Sequence, residues 1–380
     1  MSATCDLAVL GGYGDIGRAA VRAWLRLRTA TGLPARLRIG GRDGEAARRL
    51  AAQLGEATRG AEIEAVAVDL FDARALGGFV AGSRVVLNCA GPSHSIGDRV
   101  ALAALAAQAD YVDAAGDDAL YALLDPEAYL RSGRRALLSA GMQPGVSALL
   151  PRWLAARIAA PRQLRSYLGL NDLFTAVAAD DYLHGAGDGS SEPLAAWREH
   201  GRRSGAARRQ RDATLPFFAG PVALLPYLNR EGERLARALD LRDGDWFSAV
   251  EGRHVLAAFD RAHALPRAEA IALLQQASAL DLAGRTPQAT LLCQLDGERA
   301  CVSALLRAPG NAALSGGFAA VAAQAMATAD IAAGRHYAAM ALDPATAMQA
   351  LQDCGALSVL QVFDGPIPAC IGAEAEEGAL

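Results

Sequence analysis

The sequence predicts an α/β fold built on a doubly wound parallel sheet, and three observations predict it. An apolar segment, Leu7 to Leu10, runs into the turn Gly11-Gly12-Tyr13-Gly14-Asp15-Ile16-Gly17, after which Ile16, Ala19, Ala20, Ala23 and Leu27 recur at helical spacing. From there to residue 145, short apolar runs of the kind found in buried parallel strands alternate with helix-like segments. The length, 380 residues, gives two to three domains at ~150 residues each.

Gly12, Gly14 and Gly17 match G-x-G-x-x-G between a strand and a helix. In that context the first glycine permits the tight turn, the second lets backbone approach a pyrophosphate, and the third lets helix pack close to strand. The helix N-terminus then faces the phosphates. Gly12, Tyr13, Gly14, Asp15, Ile16 and Gly17 therefore read as the dinucleotide-binding turn of a Rossmann domain. The second strand sets Leu37 and Ile39 against Arg36 and Arg38 and ends in Gly40-Gly41-Arg42-Asp43. An NAD-binding unit carries an acid here for the ribose hydroxyl, yet residues 36 to 42 contain none. Arg42 is placed to pair with a 2′-phosphate, so the expected cofactor is NADP(H). Asp43 precedes the helix-like Glu45 to Leu54 and reads as its N-cap.

Ile63 to Val68, Arg84 to Leu87, Tyr111 to Ala114 and Ala136 to Ser139 read as strands three to six, with a helix at Val100 to Gln108. Ligands of such sheets sit beyond the carboxyl ends of the strands. Asp69 is accordingly expected near adenine, and Asn88, Ala90, Gly91 and Pro92 beside the nicotinamide ribose. Residues 113 to 117 and 141 to 145 should line the same cleft.

Composition narrows the chemistry further. The chain contains no lysine, so all 37 basic residues are arginine. That excludes a protein Schiff base, the Walker A lysine and the Tyr-x-x-x-Lys pair of short-chain dehydrogenases. With 52% hydrophobic and 21% charged residues the chain is globular rather than disordered, and no window nears the ~20 apolar residues of a membrane span. A net charge of −4 offers nucleic acid no broad positive field. Residues 1 to 10 lack a basic leader, and the six cysteines show no CxxC spacing. The expectation is a cytoplasmic protein without a metal site, disulfide framework, membrane anchor or nucleic-acid partner.

The segments GGYGDIGR, GGRD, LNCAGP, YVDAAGD and SAGMQPGVSALL, in this order and spacing, resemble the saccharopine dehydrogenase family in its glutamate-forming, saccharopine reductase type. Weaker similarity continues in NDLFTAVAADDYL and SGGFAAVAAQAMATADIAAG. The resemblance implies an NADP-binding Rossmann domain over residues 1–145 and an inserted α/β substrate and dimerisation domain over 146–315. A C-terminal helical segment, 316–380, should pack back on the first domain, and the protein should be a homodimer. It implies NADP(H)-dependent interconversion of an imine and a secondary amine on a small amino-acid-derived substrate. Members that use a catalytic lysine have no counterpart here, and family membership leaves the substrate open. Reduction of a C=C or C=O bond, or a non-catalytic NADP(H)-binding regulator, are the alternative readings.

Asp117, Tyr182 and His184 are the candidate proton donors, should a neutral imine bind. Each also has an ordinary reading: Asp117 as a helix cap, Tyr182 as half-buried packing, His184 as a loop residue. His94 is a further outside candidate, and Cys89 reads as a small buried residue beside the cofactor. The glycine-rich loop Gly185 to Gly189 suits a lid. Residues 198 to 211 hold six arginines, read as a solvated helix or loop, or alternatively as an anion site for substrate carboxylates or an acidic carrier protein. Leu215 to Leu228 suits a pocket wall, a dimer interface or plain core. Gly316 to Gly334 reads as one Ala-rich helix closed by Gly334, and Gly372 to Leu380 as a frayed tail.

Overall fold

The computed structural model describes residues 4–58, 60–185, 189 and 191–367. They divide into two units: residues up to 146 together with 312–356, and residues 147–311 together with those from 357 onward.

In the first unit the apolar run at Leu7 is β1 (Cys5–Leu10), buried along its whole length. α1 (Asp15–Ala30), β2 (Ala35–Gly41), α2 (Gly44–Ala57) and β3 (Ala61–Ala67) follow. Next come α3 (Ala73–Val80), β4 (Ser83–Asn88), α4 (Ser93–Ile96), α5 (Arg99–Ala106), β5 (Asp110–Asp113), α6 (Asp118–Leu123), α7 (Pro126–Ser132) and β6 (Arg135–Leu138). The six strands are parallel and stand in the order β6-β5-β4-β1-β2-β3, the doubly wound arrangement expected of a Rossmann domain. Buried carboxylates tie the strands together. Asp6 on β1 accepts from the Arg36 guanidinium at 3.0 Å and the Arg36 amide at 3.1 Å, with Arg28 at 3.5 Å. Asp110 on β5 pairs with Arg135 on β6.

α8 (Val146–Ala155) opens the second unit. It is followed by β7 (Gln163–Asn171), α9 (Ala176–Gly185), β8 (Ser191–Pro193), β9 (Ala196–Arg198), β10 (Gly201–Arg203), β11 (Gln210–Ala213) and β12 (Val222–Asn229). Then come α10 (Arg230–Ala238), β13 (Asp243–Val250), α11 (Arg253–Ala262), α12 (Arg267–Leu282), β14 (Gln288–Asp296) and β15 (Cys301–Ala308). The last elements among the described residues are α13 (Gly310–Thr328), β16 (Gly334–Tyr337), α14 (Ala338–Ala341), α15 (Pro344–Asp353) and β17 (Val359–Asp364). The second unit's sheet is mixed. Its main path among the described residues is β10-β9-β13-β7-β14-β15-β17, with β12 also joined to β13, β11 and β8. Only β13 and β7 run parallel there. Leu215 to Leu228 belongs to this unit's core and to β12: Phe217 stacks on Phe363 at 5.5 Å, and Phe218 packs where Gly169 has no side chain.

Three expectations are corrected. The basic segment 198 to 211 is only partly the solvated loop expected, at 204–209: β9 and β10 form a hairpin whose turn residues, Glu199 and His200, take φ of 50° and 61°, and residues 210 and 211 begin β11. Two consecutive left-handed residues match the right-handed twist of a hairpin. Arg198 pairs there with Asp245, Arg202 with Glu192 and Glu233, and Arg209 with Asp260. The Ala-rich helix runs from Gly310 to Thr328 rather than from Gly316 to Gly334. Gly334 opens β16, the seventh parallel strand, whose Tyr337 stacks on Tyr121 at 4.6 Å. The segment from 316 is therefore not purely helical, because β16 extends the first sheet and β17 the second. The tail from Gly372 lies outside the described residues, as does most of the loop from Gly185 to Gly189.

Candidate nucleotide-binding site

The site grows from the backbone outward. Gly11 has φ +68°, and a Cβ there would lie 2.8 Å from the Ala90 amide nitrogen. A Cβ on Gly17 would lie 2.2 Å from the Gly11 carbonyl oxygen. Both positions therefore exclude any side chain, and their absence brings the turn, α1 and the loop after β4 into close contact. Gly14 is the N-cap of α1, and no side chain caps that helix. Its first-turn amides, at Asp15, Ile16 and Gly17, form a positive cradle open to an anion.

At the carboxyl end of β2, Arg42 is exposed, and among the described residues no acid or carbonyl engages its guanidinium. Asp43 caps α2, its Oδ1 accepting from the Ala46 amide at 2.9 Å. Tyr13 leans across this end, and its hydroxyl accepts from the Asp43 amide at 2.8 Å. At the end of β3, exposed Asp69 accepts from the Phe71 amide at 3.0 Å.

Beneath the loops after β4 and β5 lies a buried polar cluster. Asn88 donates from Nδ2 to Asp113 Oδ2 at 3.0 Å and accepts at Oδ1 from the Ala90 amide at 3.1 Å. Asp113 Oδ1 accepts from the amides of Ala115 and Gly116 at 2.9 and 2.7 Å. Its Oδ2 also takes the Tyr111 hydroxyl. Burial, together with the Asp113 charge, pushes the Tyr111 phenol far above its ordinary range, so it stays a donor. The loop after β6 joins in, the Ser139 hydroxyl donating to the Gly116 carbonyl at 3.0 Å. Asn88, Ala90, Gly91 and Pro92 thus sit on a loop whose shape is set from below.

The candidate proton donors fall in different places. Asp117 accepts from the Ala119 amide at 3.0 Å and N-caps α6, in the first unit. His94 is exposed on the four-residue α4. Tyr182 and His184 lie on α9 of the second unit. Tyr182 stacks on Phe259 at 4.7 Å and meets Phe174 edge-on at 5.9 Å, in a cluster of α9, α11 and α12. Burial and the Asp260 charge push its phenol up to about 12. His184 is exposed at the end of α9. Burial, and then the Asp113 charge, raise the Cys89 thiol far above its usual range, which suits a packing residue and not a nucleophile. The described residues contain no group of three or more His, Cys, Asp or Glu arranged to hold a metal ion.

The strand-end rule points to this region, with Asp117 rather than Asp113 as its candidate acid, whereas the structure buries Asp113 beneath the loops. Strand periodicity marks Tyr111 and Gly41 only as strand residues. The available signal was that Tyr111 and Asp113 share one face of a strand, at spacing i and i+2, beside Asn88 on the neighbouring strand.

No family model matches the chain, and no curated protein matches it. Among solved structures it is similar to saccharopine dehydrogenase (L-Glu forming) from Saccharomyces cerevisiae, at 13% identity and a TM-score of 0.65, covering 95% of this chain and 100% of that one. An NAD binding oxidoreductase from Klebsiella pneumoniae is matched at 12% identity and a TM-score of 0.46, over 98% of both chains. The first match, with the seven-stranded parallel sheet and the second mixed sheet, shows that this chain has the saccharopine dehydrogenase fold.

Proposed function

We propose that the protein is an NADPH-dependent oxidoreductase that reduces the C=N bond of an amino-acid-derived imine, or oxidises the corresponding secondary amine. One observation carries the cofactor reading. The uncapped N-terminus of α1 lies behind a glycine turn that admits no Cβ at Gly11 or Gly17, and the neighbouring strand β2 ends in an exposed arginine with no acid between residues 36 and 42. That pairing suits a pyrophosphate and a 2′-phosphate. The bound nucleotide supplies or accepts the hydride. The chain's own residues cradle the pyrophosphate through Gly12 to Gly17, offer Arg42 to the 2′-phosphate, and hold the loop Asn88 to Pro92 in a fixed shape through Asp113. The shared fold and the five sequence segments resembling saccharopine reductases favour C=N over C=C or C=O as the reacting bond.

The test is a fluorescence titration with NADPH and NADH on the native protein and on Arg42→Ala, followed by turnover with a panel of amino acid and carbonyl pairs. A charged phosphate contact is worth ~1.5 to 3 kcal/mol, so Arg42→Ala should weaken NADPH about 10 to 150-fold and leave NADH unchanged. Absence of binding to either nucleotide removes the proposal.

A further inference from the structure

Resting on this nucleotide reading, we infer that Tyr13 determines cofactor choice by occupying the space a side chain at residue 41 would need. The two glycines ending β2 point to different places. A Cβ at Gly40 would enter the core, 2.3 Å from the Phe79 ring. A Cβ at Gly41 would instead fall 2.5 Å from Cε1 of Tyr13 and 2.8 Å from its Cζ and hydroxyl. Residue 41 is thus the position at the end of β2 whose side chain would project toward the glycine turn, where an NAD-binding domain sets its ribose-binding carboxylate. The Tyr13 ring fills that volume, pinned by the 2.8 Å hydrogen bond from the Asp43 amide. A carboxylate at 41 would require the half-buried Tyr13 ring to leave this position and give up its hydrogen bond from the Asp43 amide. With no carboxylate at 41, the exposed guanidinium of Arg42 is the cation at this strand end, beside Asp43, whose carboxylate caps α2. Tyr13 in this view is a positioning residue that takes up the volume an acid at 41 would use. It need make no bond to the reacting atoms.

A double-mutant cycle tests this, with NADPH and NADH titrations of Gly41→Asp, Tyr13→Ala and the double variant. Gly41→Asp alone should weaken both nucleotides by about tenfold or more, because ring and carboxylate compete for one volume. The double variant should bind NADH at least about tenfold more tightly than Gly41→Asp alone. Thermal melts provide a readout independent of nucleotide. Gly41→Ala should lower the Tm of the native chain more than that of the Tyr13→Ala chain. Additive effects in both cycles overturn the interlock while leaving NADPH binding by the native protein intact. Failure of the native protein to bind either nucleotide instead removes the oxidoreductase reading, and the specificity role with it.

Discussion

The Asn88 amide and the Asp113 carboxylate face each other at the carboxyl ends of adjacent parallel strands, joined by a 3.0 Å hydrogen bond from Nδ2 to Oδ2. Through this pair one buried carboxylate fixes two loops. Asn88 relays the link to the Ala90 amide, while Asp113 itself holds the amides of Ala115 and Gly116. A charged acceptor with several donors is stable in the interior, but removing its charge leaves those donors poorly matched.

Asp113→Asn should therefore cost about 2 to 4 kcal/mol of stability in chemical denaturation, against about 1 kcal/mol for Tyr111→Phe. Its effect on binding should be uneven. NADPH affinity should fall several-fold, whereas 2′,5′-ADP, which lacks the nicotinamide half, should bind as to the native protein. An equal loss for both ligands would show that Asp113 only supports the fold.

Gly17→Ala sets a methyl group 2.2 Å from the Gly11 carbonyl oxygen, with the backbone of Gly12 also in contact. The turn has to open to admit it. The expected outcome is a loss of roughly 1 to 3 kcal/mol in thermal unfolding and a loss of NADPH binding at temperatures where the variant remains folded. Native affinity in this variant would mean that the turn does not seat the pyrophosphate.

Tyr182 is packed by Phe259 and Phe174, and its phenol is pushed up to about 12. A packing role predicts that Tyr182→Phe changes kcat by less than about threefold, whereas removal of a general acid typically costs ~10² or more. Tyr182→Ala should lower stability by about 1 to 3 kcal/mol, less than truncation of a fully buried aromatic, because the ring is only partly buried. A hundredfold fall in kcat for Tyr182→Phe, with unchanged stability, would assign it the proton transfer.

Asp6 gives the protein an acid-sensitive tie. Burial acts to raise its pKa, but the hydrogen bonds from Arg36 and the charges of Arg36 and Arg28 outweigh burial and hold the carboxyl below the usual range. A depressed folded-state pKa contributes stability that is complete above the unfolded value of ~3.9 and disappears as pH falls through the folded value. Asp6→Asn should accordingly lower the denaturation midpoint at pH 7 and flatten its decline below about pH 4. A pH profile parallel to that of the native protein would remove this assignment.

Local order is carried by contiguous residues. A strand, a glycine turn and a helix follow one another within Leu7 to Leu27, and helical and strand periodicity are properties of contiguous residues, so the parallel sheet and the N-cap role of Asp43 could be read directly. The fingerprint glycines were legible for the same reason: the turn and the helix it opens adjoin in the chain. Tertiary structure decided what depends on residues far apart. The Tyr13 ring fills space beside Gly41, 28 positions on, and Asp113 holds Asn88 from 25 positions away. β16 becomes a strand because β6 offers it an open edge nearly 200 residues upstream, and the end of the Ala-rich helix moves with it. Glycine, alanine and arginine carry little directional preference of their own. Their roles here were set by which neighbours the fold brought within a few ångströms.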